Sequence, residues 1–181
     1  MKLAVIYDSK TGNTKKAAEW IAEGMRSVNG VQAETFSIED VDAEFVKAAS
    51  GVVIGSPSYA AGMTPALHGW LLQNSSKLGL TGKLGGAFAT EQYSHGGGEV
   101  VIQSILTMEM VFGMLCYSGG SSFGKPVIHL GPVGVNDNIE KQNGMEKFQA
   151  NFETFGQRFA GKATALFAPA EEARRIYIVD E

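Results

Sequence analysis

The chain has 181 residues, 44% of them hydrophobic and 19% charged, with a formal net charge of −4; it is long enough to bury one full core but too short to suggest two independent domains. Mild acidity without any block of Lys or Arg argues against nucleic acid or an anionic membrane as a partner. Cys116, the single cysteine, excludes an internal disulfide framework, and together with three scattered histidines it gives no metal constellation. The amino-terminal apolar run is too short for a signal-peptide core and no run approaches a membrane span, so a reducing, cytoplasmic setting is expected.

Leu3 to Tyr7 reads as a first buried strand. It runs into Ser9 to Thr14, SKTGNT, and then into a helical pattern over Thr14 to Val28 with Ala17, Ala18, Ile21, Ala22 and Met25 on one face. A strand that turns into a helix through hydroxyl, Gly and Asn residues aims unpaired N–H groups and the positive end of the helix dipole at one point, where an anionic phosphate fits. Ser9, Thr11 and Thr14 add hydroxyls, Asn13 adds an amide, Gly12 permits positive φ, and Lys10 is read as facing solvent. Neither GxxxxGK[ST] nor GxGxxG is present, which favours a monophosphate over a triphosphate or a dinucleotide. An ordinary β–α turn has a similar composition, so the hexamer alone does not decide.

Val31 to Ser37 alternates as a strand, Val41 to Ala49 is a short helix, and Gly51 to Gly55 is a compact apolar strand. After a loop from Ser56, Thr64 is placed to cap a helix that begins with Pro65 and carries Ala66, Leu67, Trp70 and Leu71 on one face. Leu84 to Thr90 is the fourth strand and Glu91 to Gly98 a glycine-rich loop. The next helix, Glu99 to Gly113, has an apolar face drawn through Val100, Ile102, Ile105, Leu106 and Met110. Strand five begins at Met114 to Tyr117, is interrupted by the Gly/Ser-rich Ser118 to Pro132, and is expected to resume at Val127 to Leu130. Met145 to Phe167 closes the domain as a helix, with Phe148, Phe152, Phe155, Phe159 and Leu166 at helical spacing. The domain is bounded at 1–167. Residues 168–181 form an extension whose Arg-Ile-Tyr-Ile-Val stretch offers an interface strand.

Alternating strands and helices predict an α/β doubly wound, five-stranded parallel sheet in the order 2-1-3-4-5, with helices on both faces and an interrupted fifth strand. The loops after strands one, three and four then meet at the carboxyl edge, beside the switch point where such sheets bind ligands.

These loops resemble those of the flavodoxin-like family, and most closely its WrbA-type branch of FMN-dependent NAD(P)H:quinone oxidoreductases. SKTGNT is similar to the flavodoxin phosphate signature, with Ser9 for the leading Thr; GSPSYAAGM, Gly55 to Met63, and HGGGE, His95 to Glu99, resemble the branch's second and third loops. The Gly-Lys-Leu step at Gly82 to Leu84 matches too. The likeness implies FMN held by Ser9, Lys10, Thr11, Gly12, Asn13 and Thr14, by Pro57, Ser58, Tyr59, Ala60, Ala61 and Gly62, and by Thr90, Glu91, Gln92, Tyr93, Ser94, Gly96 and Gly97. Tyr59 and Tyr93 are candidates to cover the ring faces.

The likeness also implies NAD(P)H as electron donor, a quinone or other small molecule as acceptor, and a homodimer or homotetramer. The alternative is a flavodoxin-type electron carrier between redox proteins, which the mild charge and the length disfavour. The branch's histidine in the helix after the glycine-rich loop is absent, since Met110, Val111 and Phe112 stand there. His95 and His129 are weak candidates for supplying a proton. Glu91-Gln92-Tyr93 departs from the branch's Ser-Thr-Gly and brings a carboxylate toward the flavin, where it disfavours the anionic reduced form.

Overall fold

Small and branched apolar residues occupy the middle of the sheet. In the computed structural model, which describes residues 1–137 and 144–168, β1 (Lys2–Tyr7), β3 (Gly51–Pro57) and β4 (Leu84–Glu91) are buried almost throughout, as a parallel sheet covered on both faces requires. β2 (Gln32–Ser37) mixes exposed and buried positions as an edge strand does. The order is β2-β1-β3-β4-β5, with every pair parallel, which is the predicted topology.

The fifth strand is split, though at a different point from the one predicted. β5 (Leu115–Cys116) pairs with Leu84 and Gly85 at the start of β4, whereas β6 (Val133–Val135) pairs with Ala89 to Glu91 at its end. The expected resumption at Val127 to Leu130 is corrected: Val127 and Leu130 are exposed, and Ile128 packs inward from an irregular segment. Gly131 and Pro132 bring the chain back to β4. A Cβ on Gly131 would lie 2.1 Å from the Ala87 carbonyl oxygen, and the Pro132 carbonyl accepts a hydrogen bond from the Ala89 N–H at 3.1 Å.

Side chains alternate across the sheet. Leu3, Val5, Tyr7, Leu84 and Phe88 join the core beneath α1 (Asn13–Arg26) and α5 (Gln149–Phe167). Ala4, Ile6, Ala87 and Ala89 join the core that includes residues of α2 (Ala43–Ala48), α3 (Pro65–Asn74) and α4 (Gly98–Val111). Phe152, Phe155 and Phe159 of α5 are fully buried, and truncating any one of them to Ala costs about 3–5 kcal/mol. Two glycines let α1 and α5 touch: a Cβ on Gly24 would lie 1.9 Å from the Glu153 carbonyl oxygen, and one on Gly156 would lie 2.0 Å from that of Ile21.

Three helix faces differ in detail from the sequence reading. On α3, Leu67 and Leu71 are buried and Trp70 half-buried, but Ala66 is exposed. The buried face of α4 is Val101, Ile102, Ile105, Leu106 and Glu109, while Val100 and Met110 face outward. A 3-10 turn, Glu146–Phe148, precedes α5, and Leu166 near the end of α5 is exposed. The strand-like stretch of the carboxyl-terminal extension lies outside the described residues. Among the described residues no helix is long and apolar enough to cross a membrane.

Candidate functional site

Three loops meet at the carboxyl ends of β1, β3 and β4. In the first, Gly12 adopts φ 90° and ψ −13°, a left-handed conformation that turns the chain into α1. Its N–H donates to Ser9 Oγ at 3.2 Å, and Asn13 Nδ2 donates to Thr11 Oγ1 at 3.4 Å. Lys16 N–H donates to the Gly12 carbonyl at 2.9 Å as the first helical bond, so the amides of Asn13, Thr14 and Lys15 precede it at the helix start. No acidic residue stands in this first turn, and a Cβ on Gly12 would meet no atom within 4 Å. The result is an open, electropositive cradle.

The second loop is a tight reversal. Tyr59 N–H donates to the Gly62 carbonyl at 2.9 Å and Gly62 N–H to the Tyr59 carbonyl at 3.0 Å, with Ala60 at φ 52° and Ala61 at φ 58° between them. Positive φ at both central residues makes this a mirror-image hairpin turn of the kind that favours Asn-Gly. Two alanines there cost roughly 1–2 kcal/mol each, strain that the surrounding contacts must offset.

The third loop, 92–97, holds His95 at φ 73° and Gly97 at φ 87°, the latter immediately before α4. Gly96 N–H donates to the Tyr93 carbonyl at 2.8 Å. Gly98 N–H, the first of α4, donates to Glu91 Oε2 at 2.7 Å.

Cross-links fix the loops to one another. Ser58 N–H donates to the Thr90 carbonyl at 2.7 Å and Ser58 Oγ to the Gly96 carbonyl at 2.6 Å. Thr14 Oγ1 and Thr90 Oγ1 share a buried hydrogen bond of 2.9 Å. Lys10 Nζ lies 5.6 Å from the centre of the Tyr59 ring. A Cβ on Gly97 would sit 2.5 Å from Ala61 Cβ, so loops two and three pack without a gap.

The residues named from the sequence, 9–14, 57–62 and 90–97, thus share one edge of the sheet, with Tyr59 and Tyr93 both exposed. Their side chains divide into two groups. Ser9 and Thr11 stay at the open cradle, whereas the Thr14 and Thr90 hydroxyls bond each other; Lys10 is exposed, as read from the sequence, with its ammonium over the Tyr59 ring. Glu91, expected beside the ligand, is only 7% exposed and turns its carboxylate to Gly98. His95 lies exposed in the third loop and His129 exposed in the segment between β5 and β6. Among the described residues no three His, Cys, Asp or Glu side chains gather as a metal site.

Sequence reasoning missed the struts beneath the site. The Asp8 carboxylate accepts from the Thr64 hydroxyl at 2.5 Å, and Ser56 Oγ accepts from Thr64 N–H at 3.0 Å while donating to the Pro57 carbonyl at 2.8 Å. Thr64 caps α3 as the sequence predicts, accepting from Leu67 N–H at 3.2 Å, and the unforeseen part is that the same hydroxyl ties the helix to the end of β1. A polar residue at or just past the carboxyl end of a buried strand, as Ser56 and Asp8 are, is the signal that could have found them.

This geometry suits a flat, partly apolar ligand that carries a phosphate. The flavodoxin family model matches residues 5–99. The chain is 37% identical over 167 residues to a flavodoxin of Clostridium saccharobutylicum, a match that spans 92% of this chain and 100% of that one. It is 26% identical to an NAD(P)H dehydrogenase (quinone) of Chromohalobacter salexigens, covering 91% of this chain and 98% of the relative. A WrbA-like flavodoxin structure from Agrobacterium tumefaciens superposes with a TM-score of 0.69 at 19% identity, over 90% of this chain and 96% of that one. The chain belongs to the flavodoxin family.

Proposed function

We propose that the chain binds FMN across the three loops and works as a flavodoxin-type electron carrier between redox proteins. The observation that carries this reading is the match to the clostridial flavodoxin, 37% identical over that protein's whole length, against 26% for the quinone dehydrogenase. It reverses the order expected from the sequence, which put the oxidoreductase first.

The residues present fit the cofactor. An open cradle at Gly12, with no acidic residue in the first turn of α1, suits a terminal phosphate held by the amides of residues 13–15 and the hydroxyls of Ser9 and Thr11. Tyr59 and Tyr93 offer aromatic surface to the ring, and the backbone of residues 58–62 and 92–94 offers donors and acceptors to its polar edge. FMN, when bound, supplies reversible one- and two-electron redox chemistry. The protein binds and orients it and shields it from water; no nucleophile or general base is required.

A second reading, an NAD(P)H:quinone oxidoreductase that forms homo-oligomers, draws on the dehydrogenase relative and on the exposure of Tyr93, which leaves room for a nicotinamide to approach. His95 and His129 would be its candidate proton donors. The test is to load the full chain with FMN, reduce it stepwise while recording the spectrum, and follow NADH and NADPH oxidation with a benzoquinone. Two separated one-electron steps and no nucleotide oxidation are expected; rapid nucleotide-driven quinone reduction would overturn the carrier reading and establish the second.

A further inference from the structure

Glu91 is the last residue of β4 and is held there from both sides. Its neighbour Thr90 is in register with Pro57 of β3, and Asn136 N–H donates to the Glu91 carbonyl at 2.8 Å. From this fixed base its carboxylate reaches across the third loop to accept the Gly98 N–H at 2.7 Å. The start of α4, where bare amides and the helix dipole favour a negative charge, suits that bond.

The glycine run wraps around the side chain. A Cβ on Gly96 would lie 3.0 Å from Glu91 Cβ and 3.1 Å from its Oε2, and one on Gly98 would lie 3.0 Å from the same oxygen and 2.6 Å from Val133 Cγ1 of β6. Residues 92–97 are therefore a loop whose two ends are joined by one side chain, backed by the split portion of strand five. Within it His95 and Gly97 hold left-handed conformations, and the former is disfavoured for a residue with a Cβ. Such a loop keeps one shape only where its surroundings over-determine it.

We propose that Glu91 is a positioning residue, a clamp that pre-shapes the third cofactor loop from beneath without touching the ligand. The inference rests on the FMN reading of the same loops for its effect on binding, but not for the clamp itself. With the clamp removed the loop samples other shapes, and the apparent affinity falls by the fraction of time it spends in the competent one.

Four full-length proteins test this: the wild type and Glu91→Ala, Glu91→Gln and Glu91→Asp. FMN affinity is read by fluorescence quenching, and Gly98 amide exchange by NMR without FMN. Glu91→Ala is expected to weaken FMN binding roughly 10- to 100-fold, the equilibrium worth of a charge-assisted hydrogen bond, and to speed Gly98 exchange. Glu91→Gln retains an oxygen that can accept the Gly98 N–H and should stay within about threefold of wild type, whereas Glu91→Asp keeps the charge but falls a methylene short and should resemble Ala. Wild-type affinity in Glu91→Ala, or Asp rescuing where Gln does not, would overturn the clamp. If Glu91→Ala does not fold, the Gln and Asp pair decides alone. Failure of the wild type to bind FMN would count against the cofactor reading, and Gly98 exchange would still judge the clamp.

Discussion

Two carboxyl groups are buried at opposite ends of α4, and they have met different fates. Glu91, at the end where the helix begins, accepts a hydrogen bond from the Gly98 amide. Glu109, in the last turn, is fully buried with neither oxygen hydrogen-bonded. Burial drives its pKa up to about 8, opposed only in part by the Cys116 thiol and the Gly86 backbone nearby. One helix thus treats two buried acids differently: a bare amide at the amino end donates to Glu91, whereas neither oxygen of Glu109 accepts a well-formed hydrogen bond near the carbonyl-rich carboxyl end. Glu91 serves the site; Glu109 is a standing cost.

The largest test of this contrast is pH. Below about pH 4.5 Glu109 is protonated in both folded and unfolded chains, so it contributes no difference. From there to about pH 8 the unfolded chain releases the proton and the folded chain keeps it, so stability falls by roughly 1.4 kcal/mol per pH unit and levels off above. Urea melts across this range should show the decline in wild type and a flat profile in Glu109→Gln. Glu109→Leu should gain about 3 kcal/mol at pH 8. Persistence of the slope in either variant would show that another group causes it.

The same substitution at the other end should have the opposite sign. Glu91→Leu strands the Gly98 N–H and should lose about 2 kcal/mol of stability by urea melt; a gain would erase the distinction between the two acids. Gly85 gives a finer probe, because a Cβ there would lie 2.5 Å from Glu109 Oε2. Gly85→Ala should cost about 1–2 kcal/mol alone and much less in a Glu109→Ala background, a coupling that a double-mutant cycle measures. The smallest effect lies in the hairpin that supports the glycine loop. Replacing Ala60 and Ala61 with Asn and Gly should stabilise the protein by about 1 kcal/mol net, because the Cβ of Asn keeps part of the left-handed strain and the freedom of Gly in the unfolded chain offsets more of the relief, visible as a raised melting temperature.

Glu109 also explains where the sequence misleads. Strand order and the meeting of three loops follow from apolar runs and turn residues, which local composition displays. The face of α4 does not, because an acid on the buried side breaks the apolar pattern and draws the eye to Met110, 59% exposed, and Val100, 54% exposed. Val101 and Glu109 hold the inward positions instead. The return of strand five is hidden for a related reason: Gly131 and Pro132 look like a turn, yet it is the missing Cβ at Gly131 that admits the backbone to Ala87. At the site, the place of Thr14, Thr90 and Glu91 beside the loops is written in the sequence, but the partner of each side chain is not. Those partners lie on other elements, and only the folded sheet brings them within reach.

Cys116 carries a practical consequence. Its thiol donates to the Leu106 carbonyl at 3.4 Å, and burial, followed by the neighbouring Glu109, pushes its pKa to about 11. The upward direction of that shift keeps the sulfur in its less reactive thiol form at neutral pH. Samples should resist oxidative cross-linking without added reductant, and alkylation of the native protein should be slow. The rate at which this single thiol takes up a label therefore reports how readily it ionises in the native protein, with no foreign probe attached beforehand.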